Sequence, residues 1–302
     1  MSTTPPGFVP KAPTIPAQRA DTSAPREPFP QGALDCHVHI FGPQDKYPHG
    51  PNPGYIPNEA TNAQLDAMLG VLGCAGAVIV QPSYYGTDNR CTVDAIRASG
   101  GRYRGVGHID PDTVTDAELD ALNAAGIRGT RLNLKGKDGM ADVAVLRRVA
   151  QRVARLGWHA QLYFYGDQMP RLDAQVADLP IELVIDHIGY VRAADGVAGQ
   201  GFQMLLRLAR AGRTWFKISA PYRQSDQAPL FEDVAPLARA LFALAPDRCV
   251  WGSDWPHASR NDTGIIRVPD DGELADALIG YFPNPADRQR ILVDNPRRLY
   301  GF

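Results

Sequence analysis

Two histidines spaced one residue apart, His37 and His39, an Asp186–His187 pair and a late Asp254 are the residues of this chain best suited to chemistry. Imidazoles and carboxylates exchange protons or bind metal ions, and guanidinium groups such as Arg131 and Arg128 recognise anions. A lone histidine or aspartate at a strand end is more often a hydrogen-bonded structural residue. Three histidines and an aspartate converging from separate segments are harder to explain that way, provided that the fold gathers them.

From about residue 33 onward, short β-branched or aromatic runs alternate with longer Ala/Leu/Arg stretches, the pattern of strands and helices in succession. Strands are predicted over 33–40, 76–83, 103–110, 126–134, 158–165, 181–189, 214–220 and 248–257. Several helical stretches between them end on glycine, which suits a helix C-terminus. Eight strands with intervening helices predict an α/β fold, a single (β/α)8 TIM barrel over residues 32–302. A doubly wound sheet would carry a glycine-rich phosphate loop after the first strand, where this chain reads HVHIFGP.

A barrel places its site at the C-terminal ends of its strands. His37 and His39 share one side of the first strand because side chains alternate with period two. The second strand ends at Ser83. The fourth presents Arg131 on one side, with Arg128 and Thr130 on the other. Tyr163 ends the fifth, Asp186 and His187 the sixth, Lys217 and Ser219 the seventh, and Asp254 the eighth. His49, His108 and His159 lack such a setting and read as structural or exposed, and His257 is left unassigned.

Composition narrows the partners. The 302 residues are 44% hydrophobic, with 31 Lys+Arg against 33 Asp+Glu, a formal net charge of −2. A nearly neutral chain lacks the basic footprint of nucleic-acid or anionic-membrane binding. The four cysteines form no CxxC pair, so free thiols are expected and neither a zinc knuckle nor a disulfide framework. No apolar run has the length of a signal-peptide core or a membrane span, so a cytoplasmic location is expected. Residues 1–31, rich in Pro, Thr, Ser and Ala, read as an extended arm draped over the body or over a neighbouring subunit of a homo-oligomer.

The segments LDCHVHIFGP, IVQPSYYGTDN, IRGTRLN, VIDHIG, WFKISAPYR and VWGSDWPH, with the terminal NPRRLYGF, resemble the amidohydrolase superfamily (amidohydrolase-related family 2). Within it they are most similar to the branch of 2-pyrone-4,6-dicarboxylate lactonase and related sugar-acid lactonases. The resemblance runs from about residue 32 to 302. It implies Asp254 as the base that activates water, and His37, His39 and His187 as the groups that polarise a lactone carbonyl. It further implies Arg131 and Arg223 as carboxylate binders and Tyr55 and Tyr163 as hydroxyl donors, with Ser83 and Arg128 as further substrate contacts.

Two departures bear on cofactors. Metal-dependent members carry a bridging Lys or Glu on strand four and a histidine on strand five, where this sequence has Arg131 and Tyr163. A guanidinium repels a divalent ion. No cofactor is therefore expected to be required, and a single zinc on His37, His39 and Asp254 is the alternative. A third departure is Tyr190, which stands where the lactonase has an arginine after DHxG, with Arg192 two residues on. The expected reaction is hydrolysis of an anionic lactone, such as 2-pyrone-4,6-dicarboxylate or a muconolactone or sulfomuconolactone analogue. Asp254 could take a proton from water if burial or neighbours lifted its pKa toward neutrality. The alternatives are a zinc-dependent decarboxylase of the same superfamily, a sugar-acid lactone isomerase or lactonase, and a non-catalytic small-acid binder.

Overall fold

Eight strands form where the eight runs predict them: β1 (Leu34–Val38), β2 (Gly76–Val80), β3 (Tyr103–Gly107), β4 (Ile127–Asn133), β5 (His159–Tyr163), β6 (Leu183–Ile185), β7 (Thr214–Ser219) and β8 (Cys249–Gly252). All adjacent pairs are parallel, in the order β1 to β8. The computed structural model describes residues 14–51, 53–134, 140–258 and 268–302. The first thirteen residues of the expected arm lie outside that set. Its described part packs on the body: Ile15 is buried, Phe29 meets Trp251 edge-on at 5.2 Å, and the Ser23 and Arg26 amides donate to Asp270 and Asp276.

The intervening helices start and stop on local chemistry. In α1 (Asn62–Leu72) and α3 (Asp116–Ala124), Thr61 with Gln64 and Thr115 with Glu118 form reciprocal capping boxes. Gly73 ends α1 in the left-handed conformation that lacks a Cβ penalty. Two buried apolar sets result. One lies between strands and helices; the other, including Val78, Val106, Val184, Trp215, Val250 and Tyr300, fills the lower lumen. Polar side chains occupy the lumen above that floor.

Closure between β1 and β8 positions the chemistry directly. The His39 amide donates to the Trp255 carbonyl and the Asp254 amide to the His37 carbonyl, both at 2.8 Å. A Cβ on Gly252 would lie 2.6 Å from the His37 nitrogen, so this approach requires glycine. Asp35 pins the same seam: its Oδ1 accepts from the His37 amide at 3.1 Å and the Ser253 amide at 3.0 Å.

Burial drives the Asp35 carboxyl up to about 7 from 3.8, against hydrogen bonds from Ser253 and His37 that lower it. Between those values the folded protein holds a proton that the unfolded chain has lost. Stability contributed below pH 4 is therefore lost as pH rises through 7, on the order of 4 kcal/mol. Asp35→Asn keeps an acceptor for both amides and removes the titration. Denaturant melts at pH 5 and pH 8 are expected to differ less in the variant than in the wild type; equal differences would remove Asp35 from this role. Among the described residues no helix is long and apolar enough to cross a membrane.

Candidate active site

The strands end earlier than their apolar patterning suggests, at Ile185 and Gly252 instead of 189 and 257. Beyond those points the backbone turns left-handed at His187, Ile188, Tyr190, Asp254 and His257, with φ between 48° and 68°. Each such residue costs about 1–3 kcal/mol, and such strain collects where a site needs particular side-chain directions. Here it turns His187 and Asp254 over the mouth of the lumen.

Asp254 is the hub. Its Oδ2 accepts from the Tyr222 hydroxyl at 2.6 Å and from Arg223 Nη2 at 2.7 Å and Nε at 3.0 Å. Its Oδ1 faces three imidazoles, with Nε2 of His37 and His39 each at 3.5 Å and of His187 at 3.7 Å. The two oxygens thus have separate work: one is anchored and the other is presented. A rise in Asp254 pKa toward neutrality is not what this geometry produces. Burial alone would raise it, but Arg223, the histidines and the His39 hydrogen bond outweigh burial and hold it well below the usual carboxylate range.

His37 and His187 are both held toward the neutral form. Burial, with Lys217 beside it, holds His37 well below its usual value, and burial brings His187 down to about 3 against the pull of Asp254 and Asp186. His39 Nδ1 lies 2.7 Å from the Val80 carbonyl, which can only accept, so that nitrogen carries the ring proton. The other ring nitrogen, Nε2, is the one that faces Asp254 Oδ1. His187 Nδ1 is held by the Ser219 hydroxyl at 2.8 Å.

Arg131, partly buried, donates from Nε to Asp186 Oδ2 at 3.0 Å and lies 5.0 Å from the Tyr163 ring centre. Tyr163 packs edge-on against Tyr190 at 4.6 Å, and Arg223 lies 5.5 Å from the Tyr190 ring. Half-buried Tyr55 is within electrostatic reach of Arg131, Arg223 and Asp254 and is hydrogen-bonded to Ser83. Arg223, Tyr190 and Tyr222 continue into a cleft of about 330 Å³ that Arg192 also lines. A larger groove, about 600 Å³, runs beside α2 (Arg90–Ala98) and α3 and shares none of the candidate site residues.

Two expectations are corrected by placement. Arg128 is not with the others: its Nη1 donates to the Asn123 and Ile127 carbonyls at 2.8 Å, at the N-terminal end of β4, where the register with β3 shifts. The metal-compatible trio is His37, His187 and Asp254, whose ligand atoms lie within 4.8 Å of one another, not His37, His39 and Asp254. Sequence reasoning left three contributors without a role. Tyr222 anchors Asp254, Asp186 anchors Arg131, and buried His257 bridges Tyr222 at 3.0 Å and Asp271 at 3.2 Å. Position beside Arg223 and Asp254 was the only signal for Tyr222 and His257.

Comparison with known proteins agrees with this architecture. The amidohydrolase family model (Amidohydro_2) matches residues 34–302. A 2-pyrone-4,6-dicarboxylate hydrolase of Comamonas testosteroni is 39% identical over 291 residues, covering 93% of this chain and 94% of that protein. A 4-sulfomuconolactone hydrolase of Hydrogenophaga intermedia is 37% identical over 275 residues, with 90% of each chain covered. The apo crystal structure of an Agrobacterium tumefaciens protein superposes with a TM-score of 0.77 at 30% identity, over 92% of this chain and 99% of that one. From its first strand to its last residue, this chain belongs to the amidohydrolase family.

Proposed function

We propose that the protein hydrolyses an anionic lactone, with Asp254 Oδ1 as the base for water. The observation that carries this reading is the division of labour at Asp254, where Tyr222 and Arg223 hold one oxygen and leave the other among three imidazoles. The similarity to hydrolases of 2-pyrone-4,6-dicarboxylate and 4-sulfomuconolactone supports the substrate class. So do the cations Arg131 and Arg223, which lie against Asp186 and Asp254 at the mouth of the lumen.

In this account Arg131 and Arg223 take the substrate carboxylate or sulfonate, a geometry that suits planar guanidinium groups. Asp254 Oδ1 removes a proton from water as its oxygen attacks the acyl carbon. The carbonyl electrons move onto oxygen, where imidazole N–H groups stabilise the charge. Collapse breaks the acyl–oxygen bond, and Asp254 returns its proton to the released ring oxygen. A substrate anion that draws on Arg223 loosens its hold on Asp254 and so makes Asp254 more basic when substrate is bound.

Spacing would allow His37, His187 and Asp254 to hold one divalent ion, which would act as a Lewis acid on a carbonyl. The reaction proposed here needs none, and the proton arrangement described below does not fit one. The test is a panel of 2-pyrone-4,6-dicarboxylate, 4-sulfomuconolactone and neutral aldonolactones, assayed with and without a chelator. Ring opening of an anionic member that survives chelation is expected. Turnover confined to neutral lactones, or abolished by chelation and restored by zinc, would defeat the reading. An NMR product that is a second lactone would make the protein an isomerase.

A further inference from the structure

We infer that Lys217 is a positioning residue that keeps the ring proton of His37 on Nε2, so that His37 is a hydrogen-bond donor to substrate and not a metal ligand. Lys217 is fully buried on β7, with its Nζ 2.8 Å from the Cys36 carbonyl, 2.8 Å from Gln161 Oε1 and 3.2 Å from His37 Nδ1. An ammonium group has three protons and no lone pair, so these three contacts occupy all of them. His37 Nδ1 is thereby an acceptor, and a neutral imidazole then carries its single proton on the other nitrogen.

That other nitrogen is buried, has no hydrogen-bond partner among the described residues, and points toward Asp254 Oδ1 at 3.5 Å. An unpartnered buried N–H at the mouth of the lumen is the donor that a lactone carbonyl oxygen would satisfy. Ligation of a metal through the same atom needs a lone pair there instead. The donors His37, His187 and Asp254 thus fit an ion in number and spacing but not in protonation.

A competitor sits beside Lys217. Asp186 Oδ1 lies 3.3 Å from His37 Nδ1, itself without a hydrogen-bond partner, and as a carboxylate it would favour the proton on Nδ1. Lys217 decides the contest, since its Nζ is 3.8 Å from Asp186 but 3.2 Å from the ring. Take the ammonium away and Asp186 becomes the sole partner of Nδ1. The ring then changes tautomer and turns a lone pair toward Asp254 and His187.

This inference rests on the lactone-hydrolase reading only for its kinetic readout. The primary test is a long-range ¹H–¹⁵N spectrum of histidine-labelled full-length protein, with His37 assigned from the His37→Gln spectrum. The wild type is expected to carry the His37 proton on Nε2. Lys217→Met is expected to move it to Nδ1, to bind about one zinc per chain where the wild type binds none, and to lose about 10–100-fold in kcat with little change in KM. A wild-type proton on Nδ1, or an unchanged tautomer in a folded Lys217→Met protein, would overturn the inference. If that variant does not fold, the wild-type spectrum decides alone. Failure of every lactone to react would leave the spectrum and zinc uptake as valid readings of Lys217 while defeating the proposed function.

Discussion

Asp254→Asn is expected to lower kcat by about 10²–10⁴-fold, the range supplied by a positioned general base and equivalent to about 3–5 kcal/mol of barrier. The amide keeps an oxygen that can accept from Tyr222 and Arg223, so the anchoring geometry of Oδ2 has a substitute. What disappears is the anionic oxygen that faces all three imidazoles. KM is expected to move little if Arg131 and Arg223 supply the binding energy. The check is steady-state kinetics beside a thermal melt, because the substitution also leaves Arg223 without its buried counter-charge. A folded variant with near-normal kcat would remove Asp254 from the role of base.

Arg223→Met is expected to lower kcat/KM by about 10²–10³-fold, corresponding to about 3–4 kcal/mol, the scale of truncating one member of a buried charge pair. Two effects combine. The substrate loses a guanidinium, and Asp254 loses the cation that most opposes the upward push of burial. The second effect has a signature that a mere loss of binding lacks. With Arg223 present, Asp254 stays ionised well below neutrality, so kcat/KM should have no acid limb from this group near pH 6–7. Without Arg223 the pKa rises, and activity should fall as pH drops through the raised value. Parallel pH profiles in variant and wild type would contradict the placement of Arg223 as the residue that sets Asp254. Breaking a buried pair also costs about 3–5 kcal/mol of stability, so the assays belong well below the variant's melting temperature.

The barrel was legible because its signal is local. Runs such as GAVIV and TWFKIS are apolar or β-branched over the length of one strand, and period-two alternation already separates Arg131 from Arg128 on opposite faces of β4. Strand ends were less legible. His187 and Asp254 take positive φ, and although Asp and His enter that region more readily than most residues, type alone does not fix a turn there.

The electrostatics of the site were the least legible part. Burial or neighbours could lift Asp254 on the sequence reading, and nothing in the order of residues says that Arg223, thirty-one positions earlier, closes on Oδ2 and lowers it instead. Lys217 illustrates the same limit. Alternation turns it into the lumen with Ser219, but its effect on His37 depends on where β1 and β5 place the Cys36 carbonyl and Gln161. Tautomers are the last level of detail, because they depend on donors and acceptors from three strands at once.

Hydrolysis of the lactone turned over best, run in ¹⁸O-water with a chelator present, reports whether water adds to the acyl carbon without a metal. Water activated by Asp254 and added to the acyl carbon leaves one labelled oxygen in the new carboxylate for each ring opened. That is the predicted result, seen by mass spectrometry and ¹³C isotope shifts. Label in the released hydroxyl, no label in the product, or reaction only after zinc is restored would contradict it.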